Sequence, residues 1–268
     1  MAREIPRVAL GRTGLKVSRL AIGTGDLWRV PGGARVLKRA LQMGVNYVDT
    51  ASQYGWGRAE RLVGSVRGEF IVATKVLQRE AEGAYREFMA SLRRLRRWWV
   101  HILQLHAIND MATLDRVMAR DGALRALERL KREGRIRHIG ITGHTRPEVI
   151  RRALERYPFE TVLLPVSGAD YWYRDFEPVI QLARKRGVGV LAMKVLLAGR
   201  IPAELREEAI RYALGRADVV VIGCTHVDHV RFAVNAVQRG PLEEEARRSF
   251  LQRCRRLART DILWWKRD

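Results

Sequence analysis

The sequence alternates short apolar runs with longer segments of helical spacing, about eight times along its length. The apolar runs are residues 20–22, 45–48, 70–74, 100–105, 136–141, 161–166, 188–193 and 219–222. Strands that alternate with helices at this spacing predict a parallel sheet with crossover connections, and hence an α/β protein. About eight such units favour a closed (β/α)8 barrel of the TIM type over an open, doubly wound sheet. Because 268 residues suit one barrel better than two domains, we expect residues 1–268 to form a single domain.

Three consecutive runs end at ionisable side chains. The first leads to Asp49, with Tyr54 five positions later in NYVDTASQYG; the next two lead to Lys75 and His106. A charge at the end of a buried strand is costly unless it is paired, so Asp49 and Lys75 are natural partners. Because the ends of neighbouring parallel strands converge, the pattern predicts that Tyr54 and His106 lie beside this ion pair.

Such an arrangement would suit acid–base chemistry. A nearby ammonium lowers the pKa of a phenol from its reference value of ~10, which would make Tyr54 a proton donor near neutral pH. Each residue also has a structural interpretation, since a lysine–aspartate pair or a buried histidine can simply stabilise a barrel core. The joint pattern favours catalysis.

These residues resemble the active-site segments of the aldo-keto reductases. NYVDTASQYG, FIVATK and HILQLH look like the three segments that carry the Asp, Tyr, Lys and His tetrad of that family. VALGRTGLKVSRLAIGTG looks like its N-terminal segment, GRIRHIGIT like its fifth strand, and DVVVIGCTHVDHV like its last strand and cofactor loop. The resemblance implies that Asp49, Tyr54, Lys75 and His106 catalyse the reduction of an aldehyde or ketone, with Tyr54 as general acid.

The resemblance also implies a nicotinamide cofactor, NADPH, with NADH as the open alternative. The positions that match the cofactor contacts of the family are Gly23, Thr24, Asp49, Thr142, Ser167, Met193, Lys194, Gly223, Thr225 and His229. Where many members carry a Lys and an Arg for the adenosine 2′-phosphate, this chain has Gly223 and His229, so a bidentate arginine fork is lost. Thr225, His226 and His229 would compensate in part.

Aromatic residues in the loops at the predicted catalytic face suggest the walls of a substrate pocket. They are Trp28, Trp56 and His144, with Trp172 and Tyr173 nearby, and ordinary loop packing is the alternative. The loop AINDMATLD after His106 is short, which predicts an open cleft. The resemblance implies that this pocket receives a small-molecule carbonyl substrate.

Both termini have predicted roles in the barrel. Residues 8–18 form a hairpin signal, VALGRTGLKVS, and the family places such a hairpin across the closed end of its barrel. After Pro241 we expect a helix and then a tail, in which Trp264 and Trp265 either line the substrate opening or pack on the barrel exterior.

Charge is the most unusual global property of the chain. The formal net charge is +21 with a pI near 11.1, and only seven of the 50 basic residues are lysine. A GC-rich genome would explain the arginines, and a thermophilic origin fits the many charges and few asparagines. Because the basic residues are scattered over many predicted helices, we expect no specific nucleic-acid partner. Trp98 and Trp99, at the end of an arginine-rich segment, are expected to pack beneath the preceding helix.

The remaining expectations follow from absences in the sequence. No apolar run approaches the ~20 residues of a membrane span, and the N-terminal segment lacks the apolar core of a signal peptide, which predicts a cytoplasmic protein without a membrane partner. Cys224 and Cys254 have no metal-ligand spacing, so we predict free thiols and no metal. We expect a monomer. The alternative function is a cofactor-binding barrel of reductase type that acts as a regulatory or binding subunit.

Overall fold

The computed structural model describes residues 4–266 and shows a barrel of eight parallel strands. A two-stranded hairpin, β1 (Arg7–Ala9) and β2 (Lys16–Ser18), precedes it. The barrel strands are β3 (Leu20–Gly23), β4 (Tyr47–Asp49), β5 (Ile71–Val76), β6 (Val100–Leu105), β7 (Ile136–Thr142), β8 (Thr161–Pro165), β9 (Gly189–Met193) and β10 (Val219–Gly223). They pair in sequence order, and β10 closes the barrel against β3. The predicted (β/α)8 barrel is confirmed.

Helices connect successive strands and cover the outside of the barrel. They are α1 (Gly33–Gln42), α2 (Arg58–Ser65), α3 (Ala81–Leu95), α4 (Met111–Met118), α5 (Ala123–Arg132), α6 (Pro147–Arg156), α7 (Glu177–Lys185), α8 (Arg206–Arg216), α9 (Val227–Gln238) and α10 (Glu244–Cys254). Their apolar residues recur at helical spacing, as with the buried Leu124, Leu127 and Leu130 of α5. Burial of these stripes against the strands holds the helices on the barrel.

The hairpin closes the end of the barrel at which the strands begin. Leu10, in the turn between β1 and β2, is fully buried among residues of the barrel interior, including Leu191. The backbone N–H of Arg12 donates to the carbonyl of Gly187 at 2.7 Å, just before β9 begins. The hairpin prediction is therefore confirmed, and the opposite end of the barrel, where the strands finish, is left for a site.

Strand register brings the predicted catalytic segments to that opposite end. Asp49, the last residue of β4, pairs with Gly23 on one side and Ala73 on the other. Lys75 lies two residues beyond Ala73 and pairs with Gln104 of β6. The sequence placed Lys75 after the end of its strand, whereas β5 continues to Val76. The lysine is therefore held by sheet hydrogen bonds rather than carried on a loop.

The segment after His106 differs from its prediction. AINDMATLD was expected to be a short loop, but its second half begins α4. Asp110 caps this helix, since its carboxylate accepts the N–H of Thr113 at 2.7 Å and the Thr113 hydroxyl at 2.8 Å. The loop itself is then residues 106–110, and the open cleft stays a prediction.

Among residues 4–266, no helix combines the length and the apolar character needed to cross a membrane.

Candidate active site

An ion pair between Asp49 and Lys75 forms the centre of the site. Lys75 Nζ lies 2.5 Å from Asp49 Oδ1 and donates to the carbonyl of Thr50 at 2.8 Å. Gln104 Nε2 donates to Asp49 Oδ2 at 3.2 Å, so both carboxylate oxygens are engaged. The Lys75 side chain is only 1% exposed. Burial alone would lower the pKa of Lys75, but Asp49 and Tyr54 together raise it, so the ammonium stays charged.

Tyr54 lies beside this pair. Lys75 Nζ is 5.1 Å from the centroid of the Tyr54 ring, and the ring of His106 meets it edge to face at 6.1 Å. The next residue, Gly55, has a φ of +57°, and a Cβ there would lie 2.4 Å from the indole of Trp28. Glycine alone tolerates both the positive φ and the close indole. Trp28 therefore packs directly against the backbone next to Tyr54.

The pKa of Tyr54 corrects an expectation from the sequence. Burial raises the pKa of the phenol above its ordinary value, and the opposing effect of Lys75 is smaller. The phenol was expected to have a lowered pKa. The sequence showed the ammonium but not the desolvation of the barrel mouth, which disfavours the tyrosinate. Tyr54 is therefore protonated at neutral pH, the state that a proton donor requires.

His106 is buried and neutral at physiological pH. Burial, followed by Lys75 and His144, lowers its pKa well below the usual range of a histidine. Its Nδ1 lies 2.8 Å from Oε1 of Gln53, and the ring centroid of His144 is 6.3 Å away. Burial likewise lowers the pKa of His144 to about 3, with Lys194 and Lys75 contributing. The two imidazoles add polarity but no charge to the site.

The chain just after His106 is fixed by Arg79. The Arg79 guanidinium donates to the carbonyls of His106 at 2.6 Å and Ala107 at 3.1 Å. Thr142 Oγ1 accepts the N–H of Ala107 at 2.9 Å, and Ala107 has a φ of +53°. Thr142, predicted to contact the cofactor carboxamide, therefore has its oxygen engaged and retains its hydroxyl proton for a ligand.

Predicted cofactor residues lie around the same barrel mouth. The N–H and the hydroxyl of Thr24 donate to the carbonyl of Asp49 at 3.0 and 3.1 Å, which holds the Gly23 loop over β4. Ser167 donates to Asp170 Oδ2 at 2.6 Å, so its hydroxyl is already occupied in a local turn. Met193 is half-buried against the interior of the barrel. Their roles toward a cofactor stay predictions.

Lys194 provides a test of whether an anionic cofactor fits. It is half-buried, and within residues 4–266 it forms no salt bridge. Its Nζ lies 5.1 Å from the ring centroid of Trp264 and 5.5 Å from that of Trp265. Burial lowers the pKa of Lys194. Asp26 opposes this shift, and Lys75 adds to it. An ammonium that lies against two indole rings and forms no salt bridge within residues 4–266 fits a pyrophosphate.

The loop after β10 carries a polar cluster rather than an arginine fork. Thr225 Oγ1 lies 3.1 Å from Nδ1 of His226 and 3.2 Å from Nδ1 of His229. Burial, then His226 and Arg206, lower the pKa of His229. Gly223, the last residue of β10, is exposed and open on its side-chain face. The cluster offers hydrogen-bonding groups, and the lowered pKa of His229 keeps that imidazole largely neutral at neutral pH.

The predicted substrate residues are distributed unequally. Trp28 and His144 lie next to Tyr54 and His106, as described above. Trp56 is 84% exposed and lines a separate cleft of about 310 Å³ between the Tyr54 loop and α3. Trp172 donates its indole N–H to Leu251 in α10 at 2.8 Å, which directs it toward that helix. Their contact with substrate stays a prediction.

Several residues that support the site were missed by sequence reasoning. Gln104 lies on β6, Gln53 and Arg79 lie in the loops after β4 and β5, and Glu87 lies on α3. None of the four is the residue at the end of an apolar run, which was the signal that located the predicted catalytic residues. The C-terminal tail also takes part: Trp265 is buried and Trp264 is 46% exposed, both against Lys194. The aromatic pair thus lies at the mouth of the barrel, beside the predicted cofactor lysine.

Comparisons with known proteins agree with this geometry. The model of the Aldo/keto reductase family matches residues 31–208. L-galactose dehydrogenase of Arabidopsis thaliana is 32% identical over 71% of this chain and 65% of its own length, just under two thirds. Pyridoxal 4-dehydrogenase of Microbacterium luteolum is 27% identical over 97% of this chain and 93% of its own length. The holo form of an aldo-keto reductase from Bacillus halodurans is similar in structure, with a TM-score of 0.78, 27% identity, and coverage of 93% of this chain and 96% of that one.

The chain therefore belongs to the aldo/keto reductase family.

Proposed function

We propose that this protein is an oxidoreductase that interconverts a small carbonyl compound and the corresponding alcohol with a nicotinamide dinucleotide, NADPH in preference to NADH. The observation that carries the proposal is the convergence of the Asp49–Lys75 pair, Tyr54 and His106 at one end of the barrel. Two relatives whose names describe dehydrogenases, for L-galactose and for pyridoxal, support a polar alcohol or aldehyde as the substrate class.

A bound nicotinamide would supply a hydride to the carbonyl carbon. Reduction of a carbonyl develops negative charge on its oxygen, and a donor aimed at that oxygen stabilises it. Tyr54 is the protonated donor at the site, and its hydroxyl proton passes to the oxygen to give the alcohol. Lys75 stabilises the resulting tyrosinate, because its charged Nζ lies beside the ring. Asp49 keeps Lys75 charged and in place. His106 hydrogen-bonds to the substrate carbonyl and orients it.

The residues that would hold the cofactor are those already located at the barrel mouth. Lys194 would meet the pyrophosphate, and Thr142 would donate to the carboxamide. Thr225 and His229 would contact the adenosine 2′-phosphate. The nicotinamide would lie near the Gly23 loop, where Gly25 leaves room beside Tyr54.

The test is direct binding followed by turnover. Purified protein would be titrated with NADPH and with NADH while its tryptophan fluorescence is followed, and then supplied with panels of polar aldehydes, ketones and alcohols. We expect binding of both dinucleotides, tighter for NADPH, and a change in nicotinamide absorbance with part of the panel. Binding without any turnover would instead support the alternative of a cofactor-binding regulatory subunit, and an absence of binding would contradict both.

A further inference from the structure

Residues 261–266, which we call the C-terminal strap, hold the loop that follows β8. Lys266 is fully buried, and its Nζ lies 2.8 Å from Asp170 Oδ1 and donates to the carbonyl of Tyr173 at 3.1 Å. The other carboxylate oxygen of Asp170, Oδ2, accepts the hydroxyl of Ser167 at 2.6 Å. One buried carboxylate therefore joins the strap to Ser167, a predicted cofactor contact.

The same strap also holds the loop that follows β9. The Arg200 guanidinium, within this loop, donates to the carbonyl of Asp261 at 3.2 Å. Lys194 is the first residue after β9, and its Nζ lies over the rings of Trp264 and Trp265, at 5.1 and 5.5 Å from their centroids. The strap thus spans two loops, each of which carries a predicted cofactor contact.

The two indole rings restrict the side chain of Lys194. They meet edge to face, with their planes at 82° and their centroids 5.8 Å apart, so they present two differently oriented surfaces to one ammonium. A cation over an indole is attracted by the quadrupole of the ring. Lys194 also has a φ of +58°, which is uncommon for a residue other than glycine. Its backbone and its side chain are therefore both held in a specific arrangement.

This arrangement leaves the N–H donors of Lys194 available to a ligand. An ammonium has three donors, and an aromatic ring offers none of them an oxygen or nitrogen acceptor. Within residues 4–266, Lys194 Nζ forms neither a hydrogen bond nor a salt bridge, although the residue is half-buried. A half-buried charge without an acceptor is costly. An oxygen of a phosphate would supply that acceptor while the rings keep the ammonium in place.

We propose that the C-terminal strap is part of the cofactor site, in which Trp264 and Trp265 hold the ammonium of Lys194 in position for the pyrophosphate of the dinucleotide. Immobilising a long side chain opposes binding, and here the rings have ordered the lysine before the ligand arrives. The inference rests on the proposed function, in which Lys194 meets the pyrophosphate. Trp264 and Trp265 are positioning residues, since they act through Lys194.

The test is a double-variant cycle on the Kd of NADPH, measured by calorimetry with the full-length chain. Trp264→Ala removes an indole that is 46% exposed, so the barrel should stay folded. We expect its Kd to rise roughly threefold to tenfold, because Lys194 loses one of its two rings and part of its order. In a Lys194→Met background the same change should alter the Kd by less than about twofold, since the indole then has no ammonium to hold.

The matched control is Trp98→Ala, which removes an 81% exposed indole just before β6, at the end of the barrel where the strands begin. Its Kd for NADPH should equal that of the wild type. A loss of affinity that is equal with and without Lys194 would show a merely structural role for Trp264.

That result would overturn the inference, as would a Kd that does not rise in Trp264→Ala or that does not change in Lys194→Met. In each of these cases the wild-type protein still binds NADPH, and the proposed function stands. A wild-type protein that binds no dinucleotide would overturn the proposed function instead.

Discussion

At the scale of single residues, the proposed chemistry uses four side chains whose charges are set by their surroundings. Lys75 is kept charged by Asp49, whereas Tyr54 and His106 are kept neutral by burial. A site with one charged donor, one neutral phenol and one neutral imidazole can bind and release a neutral substrate without a large change in charge. The energetic cost of placing these groups in a barrel is offset by the 2.5 Å contact between Lys75 and Asp49.

The histidines of the last loop predict a pH-dependent choice of cofactor. The pKa of His229 is lowered, first by burial, so at neutral pH it offers hydrogen bonds but no charge. A bound phosphate dianion favours the imidazolium, so binding of NADPH should take up a proton and strengthen as the pH falls. We expect the ratio of Kd for NADH to Kd for NADPH to rise roughly threefold to tenfold between pH 8 and pH 6, as measured by calorimetry.

The matched control is the double variant His226→Gln and His229→Gln, which keeps polar side chains but removes both imidazoles. Its ratio of dissociation constants should stay nearly constant over the same pH range. A wild-type ratio that does not change with pH would show that the loop histidines take no part in recognising the 2′-phosphate.

The sequence was enough to locate the proposed catalytic residues, but not the side chains and the burial that set their protonation states. Asp49, Tyr54, Lys75 and His106 could be found because each follows an apolar run and together they match an ordered motif. The raised pKa of Tyr54 could not, since desolvation depends on how the loops close around the ring. Gln53 and Glu87 lie 34 positions apart and meet only because α3 packs beside the Tyr54 loop.

At the scale of elements, strands were predicted well and loops poorly. A barrel strand such as β7 can be predicted from its nearly continuous apolar sequence, because a parallel strand inside a barrel is covered on both faces. Helix α4 was missed because its eight residues carry a short pattern, although Asp110 and Thr113 form a recognisable cap. Trp98 was expected to pack beneath α3 but is 81% exposed, so the prediction for that residue is wrong.

The C-terminal tail is fastened to the barrel by Lys266, which predicts a measurable contribution to stability. Lys266 is fully buried; its Nζ lies 2.8 Å from Asp170 Oδ1 and donates to the carbonyl of Arg174 at 2.7 Å. Lys266→Met would leave a buried carboxylate without its cation. We expect the free energy of unfolding to fall by about 3 kcal/mol, measured by urea denaturation.

Adding Asp170→Asn to Lys266→Met should restore much of that loss, because the uncompensated charge is then removed as well. Lys185→Met, an exposed change in α7, provides the control and should alter stability by less than about 0.5 kcal/mol. If Lys266→Met is as stable as this control, the tail is not held by the buried pair.

For the whole molecule, the surplus of basic charge coexists with several histidines that the fold keeps neutral. His101 Nδ1 accepts the backbone N–H of Val72 at 3.2 Å, and burial, then Arg97, lower its pKa to about 4. In the unfolded chain a histidine titrates near ~6.5. Unfolding therefore takes up protons below that pH, so the stability contributed by the neutral imidazoles is complete above ~6.5 and is lost as the pH falls toward 4.

We accordingly expect the protein to be more sensitive to mild acid than to mild base. Between pH 7 and pH 5, each histidine of this kind should cost about 2 kcal/mol of unfolding free energy. His101→Asn keeps an acceptor for Val72 but cannot be protonated, so its loss of stability over this range should be smaller by about that amount. Equal losses in the variant and the wild type, from urea midpoints at both pH values, would contradict this assignment.

The most direct test of the account is the turnover of Tyr54→Phe. The change removes one hydroxyl and leaves Asp49, Lys75 and the barrel mouth in place. With a carbonyl substrate found for the wild type, the loss of nicotinamide absorbance should give a kcat at least ~100-fold lower, because Tyr54 is the proton donor of the proposed reaction. The Kd of NADPH, measured on the same preparation, should change by less than about twofold. A variant that turns over at close to the wild-type rate would show that Tyr54 is not the proton donor and that the proposed chemistry is wrong.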